Sequence, residues 1–541
     1  MVAKGKQALG TTIMNSSLRN IKFVRVLIDV LRNNHINFLI TSFFILLFTY
    51  LTVLAAFGRD FLHPFTIPDY VLQLKNTSFS PIVDSTSLIT SAFSLFFLLV
   101  FSLCVGKIFY YLSLPPLFGS LLVGLLVKNI VVLNEIFYIH PRWEWVIRTL
   151  ALTIILIRCG IGLNWDYLKE AMGATLGLGL MTAAIESAAI ILAAIFIFKW
   201  SVPMAFITGF VMAAVSPAVT VPIMLDLQSQ GLGTRKGIPT LALGSAALDN
   251  VFCITAFSVA SAIIFSTAPL AQVIVANVAE IIIGIFIGIC AGWLLWWFPI
   301  SYVENASVCR TLLLASICSA AVLGGQVLGF QSAGLIIAVL TSFVAGIRWK
   351  IDNDDKIRFE EKAFALLWKL FFMPLLLSLI GMKLDFSTMN WTIVLTGCAL
   401  IGIGVVFRFL SGIIFSSCSG FSMREQLVTA LSLLPKASVQ AALAPGIYSL
   451  VADTPHLQDE AHMAVTACVL AILLTAPLGQ YLLLKASPIL LKNSRVVGIA
   501  KSSLEDMEFG GKPGRNNVIR TNGNTTMSYT STARIEEDVR F

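Results

Sequence analysis

Four ionisable residues, Glu186, Asp249, Arg408 and Lys436, stand inside long runs of mostly Ala, Gly, Leu, Ile, Val and Phe. A charge at membrane depth is expensive unless it faces a cavity, a partner or an ion, so such residues default to transport or relay roles. Asp249 and Lys436 are the most informative, because their segments are broken or flanked by Gly and Pro. Burial disfavours the charged form of a carboxylate, so one buried acid holds a proton or a cation but not both comfortably. That competition, with access alternating between two sides, suffices for antiport, and the pattern reads as an ion transporter.

Other groups could complete such a site. Asn250 follows Asp249 directly, and Ser216, Thr220, Ser245 and Ser438 place hydroxyl oxygens near the breaks, suitable for a small hard cation. Hydroxyls in membrane helices more often bond their own backbone. Lys436 serves either as counter-charge to Asp249 or to hold crossing helices apart, and a structural lysine fits nearly as well as a proton carrier. Glu186 and Arg408 are best paired with each other, since either alone leaves an uncompensated charge at depth. Such a pair is a clasp between repeat halves that can also gate. The five histidines, at 35, 63, 140, 456 and 462, fall near predicted span ends or loops, where pH sensing is the role open to them.

The elements that must position these residues are membrane spans. The 541 residues are 57% hydrophobic and only 12% charged, against about 25% charged in soluble chains, and the mean hydropathy is +0.87. The net charge of +8 is scattered between apolar runs, which argues for membrane topology and against a nucleic-acid partner. Nine cysteines lie mostly singly in apolar runs, with no metal-ligand spacing, and no HExxH, GxSxG or nucleotide-binding loop points to an enzyme or a cofactor.

Windows of about 20 apolar residues predict an all-α integral membrane protein of about fourteen spans: 38–57, 87–105, 114–133, 145–163, 173–198, 204–225, 237–266, 270–298, 310–328, 331–347, 363–382, 391–416, 424–450 and 461–485. Residues 1–37 form a basic N-terminal segment, 38–485 the transmembrane domain and 486–541 a polar tail with too little apolar content to pack a core. An even span count puts both ends on one side. Lys4, Lys6, Arg19, Lys22, Arg25 and Arg32, with Lys485, Lys492, Arg495, Lys501, Arg235, Lys236, Arg348, Lys350, Lys356, Arg358 and Lys362, predict that side to be cytoplasmic. The longest opposite loop carries the sequon Asn76-Thr77-Ser78. The acid-poor first 28 residues fit a positive-inside flank better than a mitochondrial transit segment. The membrane is thus the plasma membrane or that of an organelle, the mitochondrion included.

The sixth span reads Ser216-Pro-Ala-Val-Thr-Val-Pro222 and the thirteenth Leu434-Pro-Lys-Ala-Ser438, followed by Pro445. Proline removes a backbone donor and clashes with the preceding turn, so each span unwinds, and unwound backbone must line a cavity or be buried in protein. The two lie seven spans apart and therefore cross in opposite senses, as inverted-topology repeats require. Gly160-x-x-Leu163-Asn164 and Gly381-x-x-Leu384-Asp385 repeat the same offset, as do Glu186 and Arg408. The expectation is two crossing Pro-broken helices with Asp249 beside the crossing.

The stretches 209–222, Lys236-Gly-Ile-Pro-Thr240, Leu248-Asp249-Asn250, Leu114-Pro-Pro-Leu-Phe-Gly119 and Leu434-Pro-Lys-Ala-Ser-Val-Gln-Ala441, taken in order over about residues 87–485, resemble the monovalent cation/proton antiporter superfamily, above all its animal sodium/proton branch related to bacterial electrogenic antiporters. The resemblance implies a homodimer with an elevator-like core that exchanges sodium or lithium for protons, an extra N-terminal span, and an ion pair between Glu186 and Arg408. It also marks a departure: that branch has two adjacent aspartates where this chain has Asp249-Asn250, and the second is the family's cation binder. An amide coordinates through oxygen but cannot release a proton. Three outcomes follow: Asp249 serves both proton and cation, the chain carries a proton with an anion such as chloride in the field of Lys436 and Arg408, or transport is lost and a scaffold remains. A channel is disfavoured by the lack of a filter motif.

Overall fold

The structure, a computed structural model, describes residues 33–57, 85–112, 116–265, 270–300, 305–352, 359–383, 386–388, 390–451 and 454–491. The sequon, the basic segment before residue 33, the tail after 491, and Pro115, His63, Lys356, Arg358, Leu384 and Asp385 lie outside these residues.

The described residues form helices, in chain order α1 (Asn34–Phe57), α2 (Ser85–Tyr111), α3 (Pro116–Asn129), α4 (Pro141–Gly162), α5 (Met172–Phe196), α6 (Val202–Ala213), α7 (Pro217–Ser229), α8 (Ile238–Phe265), α9 (Leu270–Trp297), α10 (Ala306–Leu328), α11 (Gln331–Asp352), α12 (Phe359–Gly381), α13 (Trp391–Ser417), α14 (Met423–Ser432), α15 (Ser438–Leu450) and α16 (Gln458–Leu490). Among the described residues, twelve candidate spans are long and apolar enough to cross a membrane. This is a multi-pass membrane protein. The expected fourteen is not reached by that measure, because α3 has only 14 residues and the thirteenth span is two short helices of 10 and 13.

Both expected breaks are present, though not at every proline. The chain leaves the helix at residues 214–216 and re-enters at Pro217, which occupies the first turn of α7, where its missing N–H is no loss. Pro222 lies inside α7 without ending it. The second break covers 433–437, and Pro445 falls within α15. The two breaks meet: the Ser216 N–H donates to the Pro435 carbonyl at 2.7 Å, and the Thr220 hydroxyl donates to the Ser432 carbonyl at 2.7 Å. Gly479 of α16 makes room for Pro435, since a Cβ there would stand 2.7 Å from the proline Cγ.

α5 changes to a π-helical turn over Gly177–Met181. There Gly179 packs on α8, where a Cβ would come 2.8 Å from the Leu248 Cβ. α3 and α12 pack closer still: a Cβ on Gly124 would collide with the Ser378 carbonyl and one on Gly381 with that of Leu121. Both obstacles are backbone, which a rotamer change cannot relieve, so Gly124→Ala should destabilise by about 1–3 kcal/mol. A melting curve of the purified variant that overlays the parent's would refute this close packing.

Candidate functional site

The break leaves carbonyls at the end of α6, and that of Ala214 just past it, without helical partners. Residues of the other broken helix satisfy them. Lys436 Nζ donates to Ala213 O at 2.6 Å, and Gln440 Nε2 reaches Ala214 O at 2.7 Å, Val211 O at 3.0 Å and Met212 O at 3.3 Å. A cation at the C-terminal end of a helix is also favoured by the helix dipole. The Lys436 N–H is held in turn by Thr475 Oγ1 of α16 at 2.9 Å.

The four intramembrane charges converge here, Glu186 from α5, Asp249 from α8, Arg408 from α13 and Lys436 from the second break, each at most 2% exposed. Asp249 Oδ1 accepts the Val215 N–H at 2.7 Å, and Oδ2 pairs with Arg408 Nη2. Glu186 Oε2 accepts from Lys436 Nζ at 2.7 Å and lies 3.5 Å from Arg408 Nη1. Gly404, one turn before Arg408, lets Glu186 come close: a Cβ there would lie 3.0 Å from Oε1. Two carboxylates and two cations cancel, as buried charges require.

This corrects one expectation and refines another. Lys436 is not the counter-charge of Asp249. Its ammonium is held between Glu186 and the Ala213 carbonyl, and Arg408 pairs with Asp249 instead. Glu186 and Arg408 are within ion-pair range, but each has a nearer partner.

The candidate oxygen ligands divide. Thr220 is engaged by Ser432 O, and Ser245 donates to Thr175 O at 3.3 Å, so both hydroxyls bond backbone. Ser216 Oγ, Ser438 Oγ and both polar atoms of the Asn250 side chain are buried without a protein hydrogen-bond partner, as are Gln440 Oε1 and Arg408 Nε. Unpartnered buried polar groups cost about 1–3 kcal/mol each, so these atoms hold hydrogen-bonding capacity that the protein itself does not use.

Several polar groups away from the crossing do have partners. Glu280, a further buried acid the sequence reading missed, accepts the Ala333 N–H near the start of α11 at 3.0 Å. Glu144, also missed, holds Lys383 at 2.8 Å and Arg148 at 3.4 Å. His140 caps α4, its Nδ1 accepting the Arg142 N–H at 3.2 Å, and His462 Nδ1 meets the Tyr448 hydroxyl at 3.0 Å. Beside Leu248 and Val251 opens a cleft of about 640 Å³ between α6, α8 and α9. Its one polar lining side chain, Thr255, is bonded to Ser332 at 2.9 Å, so the cleft offers a cation no ligand.

Gln440 was legible as a signal. It is a polar residue in an apolar helix, just past the break that carries Lys436.

A family profile described as "Sodium/hydrogen exchanger, transmembrane" matches residues 91–484. The chain belongs to that family. The chain is 33% identical to sodium/hydrogen exchanger 9B1 of Homo sapiens over 398 residues, 72% of this chain and 76% of the relative. It is 34% identical to sodium/hydrogen exchanger 9B2 of Homo sapiens over 384 residues, 70% of each chain. Its fold is similar to the sodium proton antiporter MjNhaP1 from Methanocaldococcus jannaschii, with a TM-score of 0.56 at 18% identity over 74% of this chain and 97% of that one. Membership of the monovalent cation/proton antiporters follows, and with it support for cation/proton exchange across a membrane.

Proposed function

We propose that this exchanger carries sodium or lithium one way and protons the other at the helix crossing, with Asp249 receiving both in turn. The observation that carries this reading is the position of Asp249: fully buried beside both breaks, one oxygen on the Val215 N–H and the other on Arg408. A proton or cation arriving at Oδ2 must displace Arg408, which keeps Glu186 at 3.5 Å from its Nη1 as a carboxylate shared with Lys436. Asn250 Oδ1, with Ser216 and Ser438 Oγ near the breaks in sequence, supplies neutral oxygen ligands that do not release a proton. One carboxylate that binds either a proton or a monovalent cation gains one positive charge in each case, so exchange is one-for-one and electroneutral. The core built on the crossing moves in an elevator-like manner within a homodimer, as the resemblance implies, in the plasma membrane or an organelle membrane.

A second reading has its own observation. Arg408 Nε and Asn250 Nδ2 are buried donors without acceptors, which suits an anion such as chloride travelling with a proton.

Proton flux in proteoliposomes holding the purified chain, with sodium, lithium, potassium or chloride added in turn, separates these readings. Sodium- or lithium-dependent proton movement that is indifferent to a clamped potential is expected. Chloride-dependent movement would transfer the site to the second reading, and no movement with any ion would mean a retired transporter.

A further inference from the structure

We infer that Gln440 is a positioning residue for ion exchange, acting on Asp249 through the peptide plane that joins Ala214 to Val215. The inference rests on the reading of Asp249 as the ion-carrying acid.

The geometry is a relay across one peptide unit. Gln440 Nε2 donates to the Ala214 carbonyl at 2.7 Å, the shortest of its three contacts, and the N–H of the same peptide, that of Val215, donates to Asp249 Oδ1 at 2.7 Å. A peptide group is planar, so its C=O and N–H turn together and pinning one end aims the other. Hydrogen bonds at both ends of one amide also polarise each other in the same sense. Nothing else fixes this plane by helix formation: Ala214 is at φ −58°, ψ 130° and Ser216 at φ −91°, ψ 109°, both outside helical geometry. Lys436 holds the neighbouring Ala213 carbonyl, which belongs to the preceding peptide. Gln440 is 0% exposed, so its amide is screened from bulk solvent.

Without Gln440, the Ala214–Val215 plane turns and the carboxylate loses its fixed aim at the incoming ion. The effect falls on recognition of the cation rather than on the folded amount. Gln440→Met keeps the volume and removes the donors. Gln440→Glu keeps the shape but sets a carboxylate against three carbonyls. The test is sodium-driven proton flux of the reconstituted full chain, fitted for KM and maximal rate. Gln440→Met should raise the sodium KM about tenfold, the size of one lost, well-placed hydrogen bond, with the maximal rate within about threefold of the parent; Gln440→Glu should raise KM at least as far. KM does not depend on how much protein folds, so a purely structural role would lower the maximal rate and leave KM alone. A KM in Gln440→Met within about threefold of the parent, or a milder effect in Gln440→Glu, overturns the inference. Exchange surviving in Asp249→Asn would instead remove the site reading itself. An inactive Asp249→Asn with an unchanged KM in Gln440→Met would remove only the role of Gln440.

Discussion

Asp249→Asn should lower sodium-driven proton flux by at least about a hundredfold, a barrier change of about 2.7 kcal/mol, while the protein still purifies as a folded membrane protein. The substitution keeps the side-chain size and an oxygen for the Val215 N–H, which donates to Oδ1 at 2.7 Å, so the helix crossing retains its main-chain contact. It leaves Arg408 with one remaining carboxylate, Glu186 at 3.5 Å, shared with Lys436. Glu186 cannot stand in, because its Oε2 is held by Lys436 at 2.7 Å and its release would orphan a lysine buried to 2% exposure. Flux in Asp249→Asn above one-tenth of the parent's would assign the ion to another group.

The second large effect concerns stability. Lys436→Met leaves Glu186 with only the longer contact to Arg408, and it leaves the Ala213 carbonyl without its donor. Glu186→Gln leaves the Lys436 ammonium buried with carbonyls and no carboxylate. Removing one partner of a buried pair typically costs about 3–5 kcal/mol, more than removing both. Each single variant should therefore melt well below the parent, and Glu186→Gln with Lys436→Met together should melt above the worse single variant. Arg408→Met should be the most damaging, since it serves both carboxylates. Thermal-shift curves in which the double loss equals the sum of the single losses would argue against a coupled network.

Much of this was legible in the chain because membranes punish exceptions. Glu186, Asp249, Arg408 and Lys436 stood out as charges in apolar runs, and Pro217 and Pro435 marked the breaks, since lipid cannot satisfy a freed carbonyl. Which charge meets which was not legible. Lys436 and Glu186 lie 250 positions apart, and the choice between Asp249 and Glu186 depends on side-chain reach across a crossing of known partners but unknown angle. Hydroxyls were ambiguous for a related reason: Thr220 and Ser216 look alike in sequence, yet one faces the Ser432 carbonyl and the other has no protein partner. The length of α3 was overestimated because apolar content continues past its end into a short second helix, Val131–Ile136, separated from it by an extended residue, Ile130.

The order of the charges along the chain bears on how the protein can be made. Both acids precede both bases: Asp249 comes 159 residues before Arg408, and Glu186 comes 250 before Lys436. At about 5–20 residues per second, Asp249 waits roughly 8–30 s for its partner to leave the ribosome. A carboxyl waiting in lipid can take up a proton and remain uncharged, whereas a guanidinium cannot shed one. With the acids first, no arginine or lysine of the network enters the bilayer before a carboxylate is there to receive it. The reverse order would oblige the insertion machinery to hold a permanent cation at membrane depth.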